Sequence, residues 1–369
     1  MRLTAISFVS ATALMAGLGT AQADIVIGLG TATTGPVAAL GEQSVYGAKQ
    51  AVADINAKGG VLGQKLVLKV GDDACDPRQA VAVANQFVRD RVAAVVGHLC
   101  SGASIPASDV YQEEGVVMVT PTATNPLLTA KGHPNIFRVC GRDDQQGVVA
   151  GNYLAQTFKG KNIAVLDDKQ AYGKGLADVV AETLEKAGVK AAYRGSVTAG
   201  ERDFSALITS LKGKGVEAVY YGGYHPELGL IVRQAQEQGL KPQFIAGDGL
   251  NNQEYWAITG AAGEGTLYTD SASAASDPRA KELIASFKAA GLPEPGNFAF
   301  YSYAAVQTIA QGLQKAGSVD GQKLATALHS GSYDTVVGSV EFDKKGDITK
   351  PNYVMYTWSN GKPEMVAQK

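Results

Sequence analysis

The sequence predicts an α/β protein built as two doubly wound lobes, each a parallel sheet covered by helices on both faces. Three observations carry this. From Asp24 to about Asp270, short apolar runs alternate with segments of helical spacing, an order that requires crossover connections and therefore parallel strands. The alternation breaks once, at KGHPNIFRVCGRDDQQG, and then resumes at similar size. The tail holds two long helical stretches with no strand between them, so it cannot build a third sheet. A chain of 369 residues also exceeds what a single core usually serves.

The first residues are read as a targeting signal. Arg2 precedes the small-residue apolar run AISFVSATALMAGLG, and Ala21-Gln22-Ala23 forms an A-x-A cleavage site. The run is shorter than the roughly 20 strongly apolar residues of a membrane span. Cleavage after Ala23 would start the mature chain at Asp24 and export it, with a bacterial periplasm as the expected place.

In the first block IVIGLG is a strand, and Val45, Ala48, Val52 and Ile55 share one face of a helix that Gly59-Gly60 stops. KLVLKV is the second strand. DPRQAVAVANQFVRD is a helix with Asp76 as N-cap and Pro77 in the first turn. VAAVVG, the helix of IPASDVYQEEG, and VVMVTP follow. In the second block, helices are expected near Gln146–Phe158, Gly173–Gly188, Asp203–Lys212 and Pro226–Gly239. The strands between them are NIAVLDD, AAYRGSV, VEAVYYGG, KPQFIAGDG and GEGTLYTD. SDPRAKELIASFKAAG and FAFYSYAAVQTIAQGLQKAG read as long helices packing back on the first lobe, with another near Asp320–His329. GSVEFDKKGD and NYVMYTWSNGKP read as a hairpin with turns at Lys345-Gly346 and Asn360-Gly361. The expected lobes are residues 24–142 with 272–350, and residues 143–271 with 351–369. Crossings near Cys140–Asp144, Asp270–Ala275 and Asp347–Asn352 would form a hinge.

Composition narrows the function classes. Hydrophobic residues make up 45% and charged residues 18%, ordinary for a soluble globular protein, and the formal net charge of −2 gives no footing for nucleic acid or an acidic membrane. Of three cysteines, Cys75 and Cys100 each follow a strand, and those strands are expected to be neighbours. An oxidising compartment then permits a Cys75–Cys100 bridge, with Cys140 left over as a small buried hydrophobe. No metal is expected, because C-x-x-C spacing and histidines at ligand spacing are missing. No cofactor is expected either. Gly28-Leu29-Gly30 lacks the third glycine of a dinucleotide fingerprint, Thr33 standing in its place. His98 lies beside Cys100, but a bridged cysteine is no nucleophile. None of the four histidines sits in a G-x-S-x-G motif.

The strand ends carry the chemistry. VAAVVG runs into Ser101, and VVMV runs into Thr120-Pro121-Thr122-Ala123-Thr124. Hydroxyls and backbone N–H groups at one sheet edge suit a carboxylate. In the second block, Tyr172, Tyr224 and Asp248 each follow a strand, offering rings and an acid to an ammonium and an apolar side chain. Together they describe a zwitterionic amino acid, held and released unchanged.

The stretches AVADINAKGG, DDACDPRQAVAVANQFV, GHLCSGAS, ASDVYQEEG, TPTATNP, DDKQAYGKGLA, TAGERDFSALI and YYGGYHPELG resemble bacterial leucine/isoleucine/valine-binding proteins, the periplasmic receptors of branched-chain amino acid ABC transporters. The resemblance implies the type I periplasmic binding protein fold with a three-strand hinge and a Cys75–Cys100 disulfide. A monomer is expected, since the sequence gives no reason for an oligomer, and the exported context points to a membrane permease as the partner that receives the ligand; no enzymatic activity is expected. It places Ser101 and Thr124 on the α-carboxylate, the Thr122 carbonyl and Asp248 on the α-ammonium, Ala123 beside them, and Tyr172 and Tyr224 over the ligand. Relatives often carry Glu, Tyr and Ala where Asp248, Leu40 and Thr122 stand, which leaves another amino acid or 4-aminobutyrate open as the ligand. A ligand sensor on the same fold and an exported hydrolase are the rival readings. The second would need a general base or activated nucleophile, and the sequence offers none.

Overall fold

A computed structural model describes residues 23–366. The segment read as a signal peptide lies outside them up to residue 22. The first block runs β1 (Ile25–Thr31), α1 (Ala38–Ala57), β2 (Leu66–Asp72), α2 (Pro77–Arg89), β3 (Ala94–Gly97), α3 (Ser101–Glu113), β4 (Val117–Thr120), α4 (Leu127–Ala130) and β5 (Ile136–Arg138). Its sheet is parallel throughout, in the order β2-β1-β3-β4-β5. The second block runs α5 (Asp143–Thr157), β6 (Ile163–Asp167), α6 (Ala171–Lys186), β7 (Tyr193–Ser196), α7 (Ser205–Gly213), β8 (Ala218–Gly222), α8 (His225–Glu237), β9 (Gln243–Ala246), α9 (Gln253–Thr259) and β10 (Leu267–Ser271).

The tail adds α10 (Lys281–Ala289), α11 (Asn297–Ala316), α12 (Gly321–His329), β11 (Ser332–Thr335), β12 (Gly338–Glu341), β13 (Tyr353–Ser359) and β14 (Lys362–Met365). The second sheet has the order β14-β13-β10-β9-β8-β6-β7. It is parallel except at β13 and β14, which run antiparallel to their neighbours.

Local rules account for the strongest elements. β3 and β4 are buried along their whole length, as β-branched runs covered on both faces must be. Asp76 caps α2 through bonds from the backbone N–H groups of Arg78 and Gln79, both 2.9 Å, with Pro77 at the first position. α11 lies against α1 and the first sheet. Phe300, Ala304 and Ile309 share a core there with Ile27, Val96 and Val119, so the long tail helix does return to the first lobe. All of these side chains are fully buried, and apolar burial at about 25 cal/mol per Å² is the main force holding the tail there.

Four readings change. The Cys75–Cys100 disulfide is present, with Cα atoms 5.5 Å apart, but β2 and β3 are not neighbours: they flank β1. The bridge therefore spans the carboxyl end of β1, reached because Ala74 and Cys75 turn with positive φ. The expected hairpin between GSVEFDKKGD and NYVMYTWSNGKP does not form. β12 pairs with β11, while β13 pairs with β10 and β14; the expected turn at Asn360-Gly361 joins β13 to β14, and the one at Lys345-Gly346 closes a single antiparallel bridge between Phe342 and Ile348. The first tail helix is only Lys281–Ala289, because Pro278 stands before it and its lead-in forms single 3-10 turns. β5 was not foreseen, three residues being too short for a readable period.

Each sheet has a switch point. β2 and β3 lie on opposite sides of β1, and β7 and β8 on opposite sides of β6. The loops leaving the strands diverge there and open a crevice at the carboxyl edge, where ligands of open α/β sheets bind.

Candidate functional site

Ser101 opens α3 directly after β3. Its Oγ accepts from the backbone N–H of Asn125 at 3.2 Å, which ties it to the loop after β4. In that loop the Thr122 hydroxyl donates to Leu99 O at 2.8 Å. The Ala123 carbonyl accepts from Arg138 Nη1 at 2.8 Å. Thr124 is buried, and its hydroxyl has no hydrogen-bond partner. So the Thr122 side chain and the Ala123 carbonyl serve the loop's own shape, while Thr124 presents a free hydroxyl.

On the other side Asp248 follows β9. Its Oδ1 accepts from Tyr172 Oη at 2.7 Å and from Gln146 Nε2 at 3.2 Å. The Tyr172 and Tyr224 rings lie 5.0 Å apart and form a tilted wall, both nearly buried. Burial pushes the Asp248 carboxyl up from its usual range, against the bonds from Tyr172 and Gln146.

Sequence reasoning missed Asp143, the first residue of α5. It is fully buried, and neither carboxylate oxygen has a hydrogen bond. Its backbone N–H donates to Thr124 O at 2.9 Å, so it ties the start of α5 to the loop after β4. Burial first, and the nearby Asp248 second, raise its pKa well above the ordinary value, offset in part by the Arg138 charge. The only sequence signal was an Asp pair at a lobe crossing, and Asp144, its neighbour, is taken by Arg142 at 2.8 Å.

Tyr220, fully buried on β8, also has an unpartnered hydroxyl, and both Asp143 and Asp248 act on it electrostatically. Unpaired buried polar groups cost free energy. Some, such as Asn135 Oδ1, Ser302 Oγ and Trp358 Nε1, lie elsewhere in the fold, but five adjoin one another: the Thr124 and Tyr220 hydroxyls, the Gln146 Oε1 and both Asp143 oxygens. That is the chemistry of a site for a small polar guest carrying a cation, not of a packed core.

A buried ionic network holds the loop after β4 from below. The Arg138 guanidinium, fully buried, reaches Ala123 O, Asn125 O and the Thr129 hydroxyl. Its Nε lies 2.6 Å from Asp347 Oδ1. The second Asp347 oxygen takes Arg142 Nη1 at 2.8 Å. Arg138 and Arg142 hold the Asp347 carboxyl below the usual range despite its burial. His98 is buried between Asp73 Oδ2 at 2.6 Å and Tyr111 Oη at 2.9 Å, so it too is a support, and Cys100 is bridged. Cys140 is free and buried, 3.8 Å from Ala123 O.

Asp168, at the end of β6, is buried with one oxygen unpartnered, and burial raises its pKa to about 7, with Glu227 and Asp167 adding to the shift. The raised native value means that the fold binds this proton more tightly than the unfolded chain does. Stability therefore falls as the pH rises from about 4 through 7. Asp168→Asn keeps an acceptor for Gln170 N–H, which is 2.9 Å from Oδ1. It should raise the melting temperature at pH 8 by about 2–4 °C, the equivalent of roughly 1 kcal/mol, and leave it unchanged at pH 4. Thermal melts of both proteins at the two pH values check this.

A model of the periplasmic binding protein family matches residues 24–363. The chain belongs to this family. Among its relatives is a Leu/Ile/Val-binding protein homolog of Brucella suis, 48% identical over 98% of this chain and 97% of that one. A leucine-, isoleucine-, valine-, threonine- and alanine-binding protein of Pseudomonas aeruginosa is 46% identical over 97% of this chain and 96% of its own. In structure the family resemblance extends to a substrate-binding protein of a branched-chain amino acid transporter from Streptococcus pneumoniae, solved with isoleucine. It is 28% identical with a TM-score of 0.84, covering 93% of this chain and 99% of that one. A leucine-binding protein of Thermotoga maritima gives a TM-score of 0.87 at 29% identity, over 93% of this chain and 98% of its own.

Proposed function

We propose that this protein is a periplasmic receptor that captures leucine, isoleucine or valine between its two lobes and delivers it to the permease of an ABC transporter. The observation that carries the reading is the set of unpartnered buried polar groups around Thr124 and Asp143. Ser101 and Thr124 would take the α-carboxylate. Asp248 and Asp143 would share the α-ammonium, whose three N–H donors exceed what one short acid can satisfy. The Thr122 carbonyl would add an acceptor beside them. Tyr172 and Tyr224 would cover the aliphatic group. An ammonium between the acids relieves the electrostatic strain that burial creates, so the ligand would stabilise the closed lobes over open ones. No group in the site is placed as an activated nucleophile, which favours binding and release over turnover.

A thermal-shift screen of the twenty amino acids tests this, since a ligand that binds only the native state raises the melting temperature. The branched-chain amino acids should give the largest shifts. A flat response to all three, with a shift for some other solute, would replace the reading. Ser101→Ala should lower leucine affinity by about tenfold, the effect of losing one hydrogen bond to a charged group, as calorimetry would show.

A further inference from the structure

A hydrogen bond joins the two halves of the protein away from the chain crossings. The Asn125 amide, in the loop after β4, donates from Nδ2 to the carbonyl oxygen of Ala171 at 2.7 Å. Ala171 is the first residue of α6, which follows β6 of the second sheet. Among the described residues, every other hydrogen bond between the halves involves a residue of segments 140–144, 270–275 or 347–352.

Asn125 is held firmly from its own side. It is buried. Its backbone N–H donates to Ser101 Oγ, and its carbonyl accepts from Arg138 Nη1 and Nη2 at 3.2 and 3.1 Å. Its side-chain Oδ1 accepts from the Leu127 N–H at 2.9 Å. With Oδ1 facing a donor and Nδ2 facing an acceptor, only one orientation of the amide satisfies both bonds.

The facing helix makes room for it. Gly175 stands one turn beyond Ala171 on the same face of α6. Outside its own stretch of helix, only Asn125 atoms lie within 4 Å of a Cβ built there, Nδ2 at 2.6 Å and Cγ at 3.7 Å. Glycine inside a helix is unfavourable beside alanine, and Gly175 is not among the glycines with positive φ. What the missing Cβ admits is the Asn125 amide.

The contact lies between groups assigned to the ligand. Thr124 precedes Asn125, and Ser101 accepts from it. Tyr172 follows Ala171 and donates to Asp248. We propose that Asn125 and the notch at Gly175 form a latch across the cleft. The Asn125–Ala171 bond forms as the lobes close, fixes the start of α6 against the loop that carries Thr124, and sets how long a captured amino acid stays. Asn125 is thus a positioning residue, acting through Tyr172 and Thr124. The latch presupposes the receptor reading above. A bond made after capture slows release and leaves the encounter untouched. The loss of one such hydrogen bond changes an equilibrium by roughly three- to tenfold.

Two substitutions remove the latch from opposite sides. Asn125→Ser keeps a hydroxyl for the Leu127 N–H but is too short to reach Ala171. Gly175→Ala favours the helix and displaces the Asn125 amide. Stopped-flow capture and release of leucine is measured for the wild type, both single variants and the double variant, with thermal melts of the empty proteins. Each single variant should release leucine about three- to tenfold faster and capture it at a rate within about twofold of the wild type. Empty Gly175→Ala should melt no lower than the wild type. The double variant should release leucine no faster than Asn125→Ser alone, because both changes break the same bond. Unchanged release in both single variants overturns the proposal, and so do effects that add in the double variant. Faster release by Gly175→Ala that comes with a lower melting temperature of the empty protein also overturns it, since general damage then explains the loss. Failure of the wild type to bind leucine would instead remove the receptor reading, and the latch with it.

Discussion

Replacing Asp248 by Asn lowers the affinity for leucine by about 100-fold or more, while the ligand-free protein melts no lower than the wild type. The first half follows from desolvation. An ammonium held in a dry site without its counter-charge loses on the order of 3–5 kcal/mol, and about 1.4 kcal/mol is a factor of ten. The second half follows from the sign of the shift. Burial raises the Asp248 pKa, so its charged form is disfavoured in the fold, and removing the charge relieves the native state at neutral pH. The amide oxygen still accepts from Tyr172, so the wall of the site stays in place. Asp143→Asn should act the same way, because burial and Asp248 raise its pKa too. Lowering the pH should mimic both variants, since protonated acids cannot pair with an ammonium. Calorimetry across pH, with thermal melts of the empty proteins, measures both signs. A variant that lost affinity and stability together would point to damaged folding, not a lost counter-charge.

Replacing Asp347 by Ala costs on the order of 3–5 kcal/mol of stability, the usual consequence of leaving a buried charge unpaired. The reason is Arg138, whose side chain is fully buried and whose charge-bearing partner is Asp347. Carbonyls of Ala123 and Asn125 and the Thr129 hydroxyl satisfy its N–H groups but not its charge. The same loss frees the loop that carries Thr124, so leucine affinity should fall as well, though neither Arg138 nor Asp347 is among the groups proposed to hold the ligand. Replacing the pair with Arg138→Met and Asp347→Leu removes both charges together. Denaturant unfolding should show the double variant recovering much of the stability lost by Asp347→Ala alone. Its leucine affinity should stay low, because the bonds that position Ala123 and Asn125 remain absent.

The parts of the fold that were legible are those where local physics and tertiary context agree. β3 and β4 are β-branched, apolar and buried on both faces. α2 carries its own cap and proline. β5 and the pairing of β13 were not legible, because a three-residue strand has no period and a strand's partner is chosen by the sheet it reaches. In the site, Ser101, Tyr172, Tyr224 and Asp248 stood out as polar residues at strand ends. Asp143 did not: it sits next to Asp144, and only tertiary placement makes one acid buried and bare and the other half-buried and paired with Arg142. Arg138 was the more readable omission. A lone arginine inside the apolar run IFRVC needs a buried partner, and Asp347 lies far along the chain.

The central claim is that both ends of one zwitterion are read at once. Calorimetry of the wild type against leucine and two truncated analogues tests it: 4-methylpentanoate, which lacks the ammonium, and 3-methylbutylamine, which lacks the carboxylate. Leucine should bind one to one, and each analogue should bind at least about 100-fold more weakly, because each leaves one set of buried polar groups unpaired. An analogue lacking either charge that bound as tightly as leucine would contradict the account.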